Sequence, residues 1–136
     1  MTQYAILCVD DDPMITQLLS FQLRKWINPM STIVETFVDP KQVMQTIDEI
    51  YDLGIRVFFV IVDYQMPGLN GAQLIRRIKE KYKDVHFLML SGQANEVIVA
   101  QLQQENVLDN FISKPWSEEE LYNKIKPYLE EMGKAS

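Results

Sequence analysis

Val57-Phe58-Phe59-Val60-Ile61-Val62-Asp63-Tyr64-Gln65-Met66-Pro67-Gly68 is the stretch that decides the fold. Its first six residues are apolar without a single polar alternation. A strand of that kind has to be covered on both faces, which places it at the centre of a parallel sheet flanked by helices. The run ends on Asp63, and a carboxylate there is costly if it serves structure alone. Met66-Pro67-Gly68 then reads as a tight turn, with Pro and Gly suited to its two central positions.

Four further apolar runs lie around this one: Tyr4 to Val9, Thr32 to Phe37, Val85 to Leu90, and the short Phe111-Ile112. Segments of helical period separate them. After Asp12 and Pro13, suited to N-cap and first helical position, Ile15, Leu18, Leu19, Gln22, Leu23 and Trp26 form a stripe. Asp39 and Pro40 repeat the device, opening a helix with Val43, Met44, Ile47 and Tyr51 inward. A third helix follows Asn70 and Gly71 and uses Leu74, Ile75, Ile78 and Tyr82, and a fourth spans Asn95 to Glu105. The fifth opens on a capping box from Ser117 to Glu120, with a hydrophobic staple from Trp116 to Leu121. Pro127 falls inside that last pattern and is expected to kink or restart the helix.

Strand and helix thus alternate five times, which is the signature of right-handed βαβ units around one parallel sheet. The second run carries Thr32, Glu35 and Thr36, and the fifth is very short, so both suit the sheet edges. The expected fold is therefore α/β, a five-stranded parallel sheet in the order 2-1-3-4-5 flanked by five helices. Its switch point lies between strands 1 and 3, where open parallel sheets bind ligands.

Those two strands end on Asp10 and Asp11 and on Asp63; the fourth ends on Ser91, and the fifth is soon followed by Lys114 and Pro115. Three carboxylates in one crevice repel one another by about 4 kcal/mol per close pair at an effective dielectric near 20, so the site wants a cation. Oxygen ligands without histidine or thiol suit Mg²⁺ or Mn²⁺ better than zinc. The one histidine, His86, starts a strand at the opposite end of the sheet. Asp12 is accounted for as a helix cap, and Asp10 and Asp11 are then surplus to capping.

Composition sets the remaining bounds. The chain has 136 residues, 47% hydrophobic and 24% charged, which fits one soluble domain with its own core. A formal charge of -6 argues against nucleic acid as a partner. No apolar run is long enough for a membrane span, and no secretion signal is visible, so a cytoplasmic location is expected. Cys8 sits within the first apolar run and reads as a small core residue. The basic concentration Arg76, Arg77, Lys79, Lys81 and Lys83 reads first as a solvated helix face.

The pattern Asp63-Tyr64-Gln65-Met66-Pro67-Gly68-Leu69-Asn70-Gly71, preceded by the acidic cluster and followed by Ser91 and Lys114-Pro115, resembles the receiver domains of two-component response regulators, the chemotaxis-regulator-like, flavodoxin-like (βα)5 family. The likeness runs from Ile6 to the last helix, and the whole of residues 1–136 is expected to be one receiver domain. It implies that Asp63 accepts a phosphoryl group from a sensor histidine kinase or a histidine phosphotransfer protein. It assigns the metal to Asp10, Asp11, Asp63 and the backbone carbonyl of Gln65. Ser91 and Lys114 would meet the phosphoryl oxygens, the bond from Lys114 to Pro115 being typically cis. The implied switch draws the Ser91 hydroxyl inward, lets Phe111 follow, and biases the surface of helix 4, strand 5 and helix 5 toward a downstream effector or an attached output domain. No metabolite turnover is implied beyond slow autodephosphorylation.

Several positions depart from the family pattern. Ser91 replaces the commoner threonine, Phe111 the frequent tyrosine, and Asn106 a common glycine that it can replace as a cap. Gln65 and Gln93 flank the phosphoryl position and are expected to influence water access. Val97, Ile98, Val99 and Ala100 on helix 4 exceed one core stripe, which balances burial against partner contact. The segments 90–94 and 111–116 look like receivers within larger signalling proteins. With no effector segment before Ser136, output is expected to pass through another protein or further chain. A phosphohydrolase of the haloacid dehalogenase type would also use an aspartyl nucleophile, but it wants a second aspartate where Gln65 stands. A pseudo-receiver scaffold would have a broken site, and no essential group is missing here.

Overall fold

A computed structural model describes residues 3–92 and 96–135. Five parallel strands, β1 (Tyr4–Val9), β2 (Thr32–Phe37), β3 (Arg56–Asp63), β4 (His86–Ser91) and β5 (Asn110–Ser113), form one sheet in the order β2-β1-β3-β4-β5. Helices α1 (Pro13–Arg24), α2 (Val43–Asp52), α3 (Gly71–Lys81), α4 (Glu96–Gln104) and α5 (Glu118–Ala135) alternate with them. The expected architecture and strand order are both present, with β3, apolar from Val57 to Val62, in the middle and β2 and β5 at the edges.

One core layer joins one face of the sheet to α2, α3 and α4 through residues such as Val60, Ile47, Ile75 and Leu102. The other joins the opposite face to α1 and α5 through Ile6, Ile61, Leu19, Leu23, Leu121 and Ile125. Burying any one of these side chains contributes about 1.5–3 kcal/mol, so the sheet is held from both sides. Alternation along β3 breaks once. Ala5 pairs with Val57 but Ile6 with Phe59, a bulge that puts Phe58 and Phe59 in the same layer. Cys8 is fully buried there, and burial pushes its thiol up to about 12, as a core residue requires.

Three sequence expectations change in the structure. Leu18 is 43% exposed and lies beside Met14 and Phe21 on the flank of α1, while Thr16 takes its place inward. Helical rotation favours the row of 19, 22, 23 and 26, and the Thr16 hydroxyl is satisfied by donating to the Pro13 carbonyl (3.0 Å). Asp39 and Pro40 open a 3-10 turn (Pro40–Gln42) ahead of α2, closed by Gln42 N–H to the Asp39 carbonyl and by Lys41 N–H to Asp39 Oδ1. Pro127 neither stops nor restarts α5, which continues past it. Both Pro127 and Asn123, four residues earlier, face solvent, and the buried Leu121, Ile125 and Met132 hold the helix to the sheet across that point.

The remaining end signals behave as read. Asp12 Oδ1 accepts from Met14 N–H, and Glu120 N–H donates to Ser117 Oγ. Asn106 adopts a positive φ of 60°, with Val107 N–H reaching the Leu102 carbonyl and Asn106 N–H that of Gln103, a Schellman end to the α4 segment. Asn95, the expected start of α4, and Gln93 lie outside the described residues. On the solvent side of α3, Arg76 pairs with Glu105, Lys81 with Asp48, and Lys79 Nζ with the Val85 carbonyl, so much of the basic run ties α3 to its neighbours.

At the end of the sheet remote from Asp63, Asp109 accepts from Phe87 N–H (2.8 Å) and contacts His86 Nδ1 (3.2 Å), fixing the start of β4 against β5. Burial would raise the Asp109 pKa, but the hydrogen bonds from His86 and the Phe87 backbone outweigh it and hold the carboxyl below its usual 3.8. A depressed carboxyl adds stability above its unfolded pKa and loses it as pH falls through the folded one. The stability gap between the wild type and Asp109→Asn is therefore largest near neutrality and closes below pH 3.8, as urea unfolding across that range will show.

Candidate functional site

The carboxyl ends of β1, β3, β4 and the chain after β5 meet at one edge of the sheet. Asp10 follows β1 directly and is fully buried, its position set by Asp10 N–H donating to the Phe37 carbonyl (3.0 Å). Its Oδ1 accepts from Asp12 N–H at 2.9 Å. Asp63, the last residue of β3, is 5% exposed, and Asp11 is exposed at the mouth. Carboxylate oxygens of Asp10, Asp11 and Asp63 lie within 4.8 Å of one another, a group that could hold a metal ion. Ligands of oxygen alone fit a hard divalent cation.

Lys114 supplies the site's cation from the chain after β5. Its Nζ lies 2.6 Å from Asp10 Oδ2 and 3.3 Å from Asp63 Oδ1. The Lys114 backbone N–H donates to the Ser91 carbonyl (2.8 Å), which ties the lysine to the end of β4, and the Lys114–Pro115 bond is cis, as expected. Ser91 is buried at 6% exposure beside Asp63's strand. Phe111 is 37% exposed on β5, with the Lys124 ammonium 5.6 Å above its ring. Gln65 is exposed in the loop after β3.

Charge balance in this crevice is uneven. Burial is the largest influence raising the Asp63 pKa, and the neighbouring Asp10 charge adds to it; Lys114 opposes both without cancelling them. For Lys114, burial works against the charged form, yet its bonds to Asp10 and Asp63 prevail and hold the ammonium above the usual lysine range. Two buried carboxylates therefore share one lysine, and negative charge is in excess.

The site residues expected from the sequence at Asp10, Asp11, Asp63, Ser91 and Lys114 come together here, while Phe111 stands to one side on β5. Gly71 is a structural participant that sequence reasoning passed over. A Cβ on it would lie 2.4 Å from the Asp63 carbonyl oxygen and 3.0 Å from Tyr64 Cα, and its N–H donates to the Tyr64 carbonyl (2.8 Å). The first turn of α3 thus rests directly on the backbone of Asp63. The signal was a glycine immediately after the Asn70 cap, where a side chain is normally tolerated. Gly68, with φ of 83°, serves the turn as read.

Comparison with known proteins agrees with this geometry. Residues 6–126 match the response regulator receiver domain family, and the chain belongs to it. The chain is 32% identical over 124 residues to the transcriptional regulatory protein CpxR homolog of Haemophilus influenzae, covering 91% of this chain and 49% of that protein. It is 28% identical over 87 residues to sensor kinase CckA of Brucella abortus, covering 64% of this chain and 9% of the kinase. The chain therefore spans half or less of these two relatives. The signal receiver domain of an HD domain-containing protein from Pseudomonas fluorescens Pf-5 superposes with a TM-score of 0.78 at 26% identity, covering 97% of this chain and 98% of that one. The family is that of two-component signalling, and its members act as signalling domains, not as classical enzymes.

Two outcomes test the site's energetics. An acid whose folded pKa is raised costs nothing below its unfolded value and destabilises the fold above the folded one. Asp63→Asn should accordingly raise the melting temperature at pH 7 in chelator and lose that advantage below pH 3.8. Gly71→Ala should cost about 1–3 kcal/mol in urea unfolding, since α3 must move off Asp63.

Proposed function

We propose that this chain is a phosphoacceptor that takes a phosphoryl group onto Asp63 from the phosphohistidine of a sensor histidine kinase or histidine phosphotransfer protein. The observation that carries the reading is the Lys114 ammonium 3.3 Å from Asp63 and 2.6 Å from Asp10, inside a crevice of excess negative charge. One Asp63 carboxylate oxygen attacks phosphorus, the phosphorus–nitrogen bond of the donor breaks, and the imidazole leaves with that electron pair. No strong base is needed because the donor is already activated.

Asp10, Asp11, Asp63 and the Gln65 carbonyl would hold Mg²⁺, or Mn²⁺, which when bound offsets charge on the transferring oxygens. Lys114 neutralises the same oxygens from the other side, and the Ser91 hydroxyl can donate to them. The acyl phosphate adds close to two negative charges, which favours a state with Ser91 and Lys114 drawn toward it. Phe111 follows into the space so opened. Its partial exposure in the present state supports that movement, as does the surface beside it, where Val97 is 79% exposed and Ala100 also faces out. The surface of α4, β5 and α5 then selects a downstream effector or attached output domain by population shift.

In this reading the whole of 1–136 is the receiver, hydrolysis of the acyl phosphate is slow, and no metabolite is turned over. A charge of -6 speaks against direct nucleic-acid binding. Among the described residues no helix is long and apolar enough to cross a membrane, and a cytoplasmic location is part of the proposal.

Incubation with acetyl phosphate and Mg²⁺ should add one phosphoryl group to the intact mass. The adduct should be absent from Asp63→Asn and from protein in chelator, and Lys114→Ala should form it at least tenfold more slowly. A wild type without adduct would overturn the reading in favour of a scaffold.

A further inference from the structure

Gln22 lies in the buried face of α1 between Leu19 and Leu23 and is itself only 7% exposed. An amide in such a stripe is costly unless bonded, and a leucine would fill the place without that cost. Its Oε1 accepts the Trp116 indole N–H at 3.0 Å. Trp116 stands two residues after Lys114 and directly before Ser117, the cap of α5. Ile15 and Leu18 of α1 line one groove with Lys114, Pro115 and Trp116. Directly after α1, Lys25 Nζ meets Glu118 at 2.7 Å, but both side chains are nearly half exposed, so that pair contributes little.

The turn carrying Lys114 leaves a four-residue edge strand and is tied to the sheet by its N–H to the Ser91 carbonyl. A further tether, from side chains outside the crevice, is the bond from Trp116 to Gln22. Because Lys114 must hold its ammonium within hydrogen-bonding reach of two carboxylates, a displacement of about 1 Å in this turn would undo the arrangement. We propose that Gln22 and Trp116 are positioning residues for phosphoryl transfer, their hydrogen bond fastening the Lys114–Trp116 turn to α1 so that the ammonium is held beside Asp63. This rests on the role given to Lys114 above.

The test uses Trp116→Phe, which keeps an aromatic ring but removes the donor, and Gln22→Leu, which keeps the volume but removes the acceptor. Phosphoryl uptake from acetyl phosphate at saturating Mg²⁺ is followed by intact mass, per folded molecule, with Mg²⁺ affinity measured by calorimetry. Each variant should lower the maximal rate about tenfold. The double variant should be no slower than either single one, since both remove one interaction. Mg²⁺ affinity should stay within about twofold, because Asp10, Asp11 and Asp63 are untouched. A purely structural bond would instead lower the melting temperature and leave the rate per folded molecule at the wild-type value, and that result overturns the inference. If the wild type takes up no phosphoryl group, or Lys114→Ala reacts as fast as wild type, the function of the site is at fault and the inference falls with it.

Discussion

Six consecutive apolar residues in a strand can touch water on neither face, and nearly everything in this molecule follows from where β3 must therefore sit. Covering Val57 to Val62 from both sides requires two helical layers, one from α2, α3 and α4 and one from α1 and α5. Two layers on a parallel sheet require crossover connections, and these send all the strands out toward the same edge. A polar residue at the end of such a strand has one place to be, the crevice above the sheet. The chemistry of Asp63 is thus a consequence of the apolarity of the residues before it.

That crevice is an unstable charge arrangement by construction. Asp10 and Asp63 are both buried, stand at the ends of two paired strands, and share Lys114. Within 4.8 Å of one another, like charges repel by at least about 3.5 kcal/mol at an effective dielectric near 20. A cation relieves this, and the same repulsion adds to burial in holding the Asp63 pKa above its usual value.

The legible parts of the sequence were those with a strong local cause. β3 showed itself by unbroken apolarity, the helix starts by Asp12-Pro13, Asn70-Gly71 and Ser117 to Glu120, and the site by the repeated fall of acidic, hydroxyl and lysine residues at strand ends. What escaped was set by neighbours in space. Leu18 fits a helical stripe as well as Thr16 does, and the choice between them depends on the angle at which α1 meets the sheet. Pro127 breaks a helix in isolation, but burial of Leu121, Ile125 and Met132 outweighs a lost donor that faces water. The close approach of Gly71 to Asp63 is a distance between two elements, and a single glycine in a sequence does not announce it.

The bulge at Phe58 and Phe59 acts as a phase adjuster. Every residue of a strand points to the face opposite its predecessor, so the parity of the count from the start of β3 fixes the side on which its last residue emerges. The extra residue resets that parity, and Asp63 emerges within reach of Asp10. Were Phe58 and Phe59 to alternate regularly instead, the residues after them would exchange faces and Asp63 would turn to the far side of the sheet from its partners. The carboxylate stands at the strand's end, but its address is written four and five residues earlier, in the two phenylalanines of the bulge.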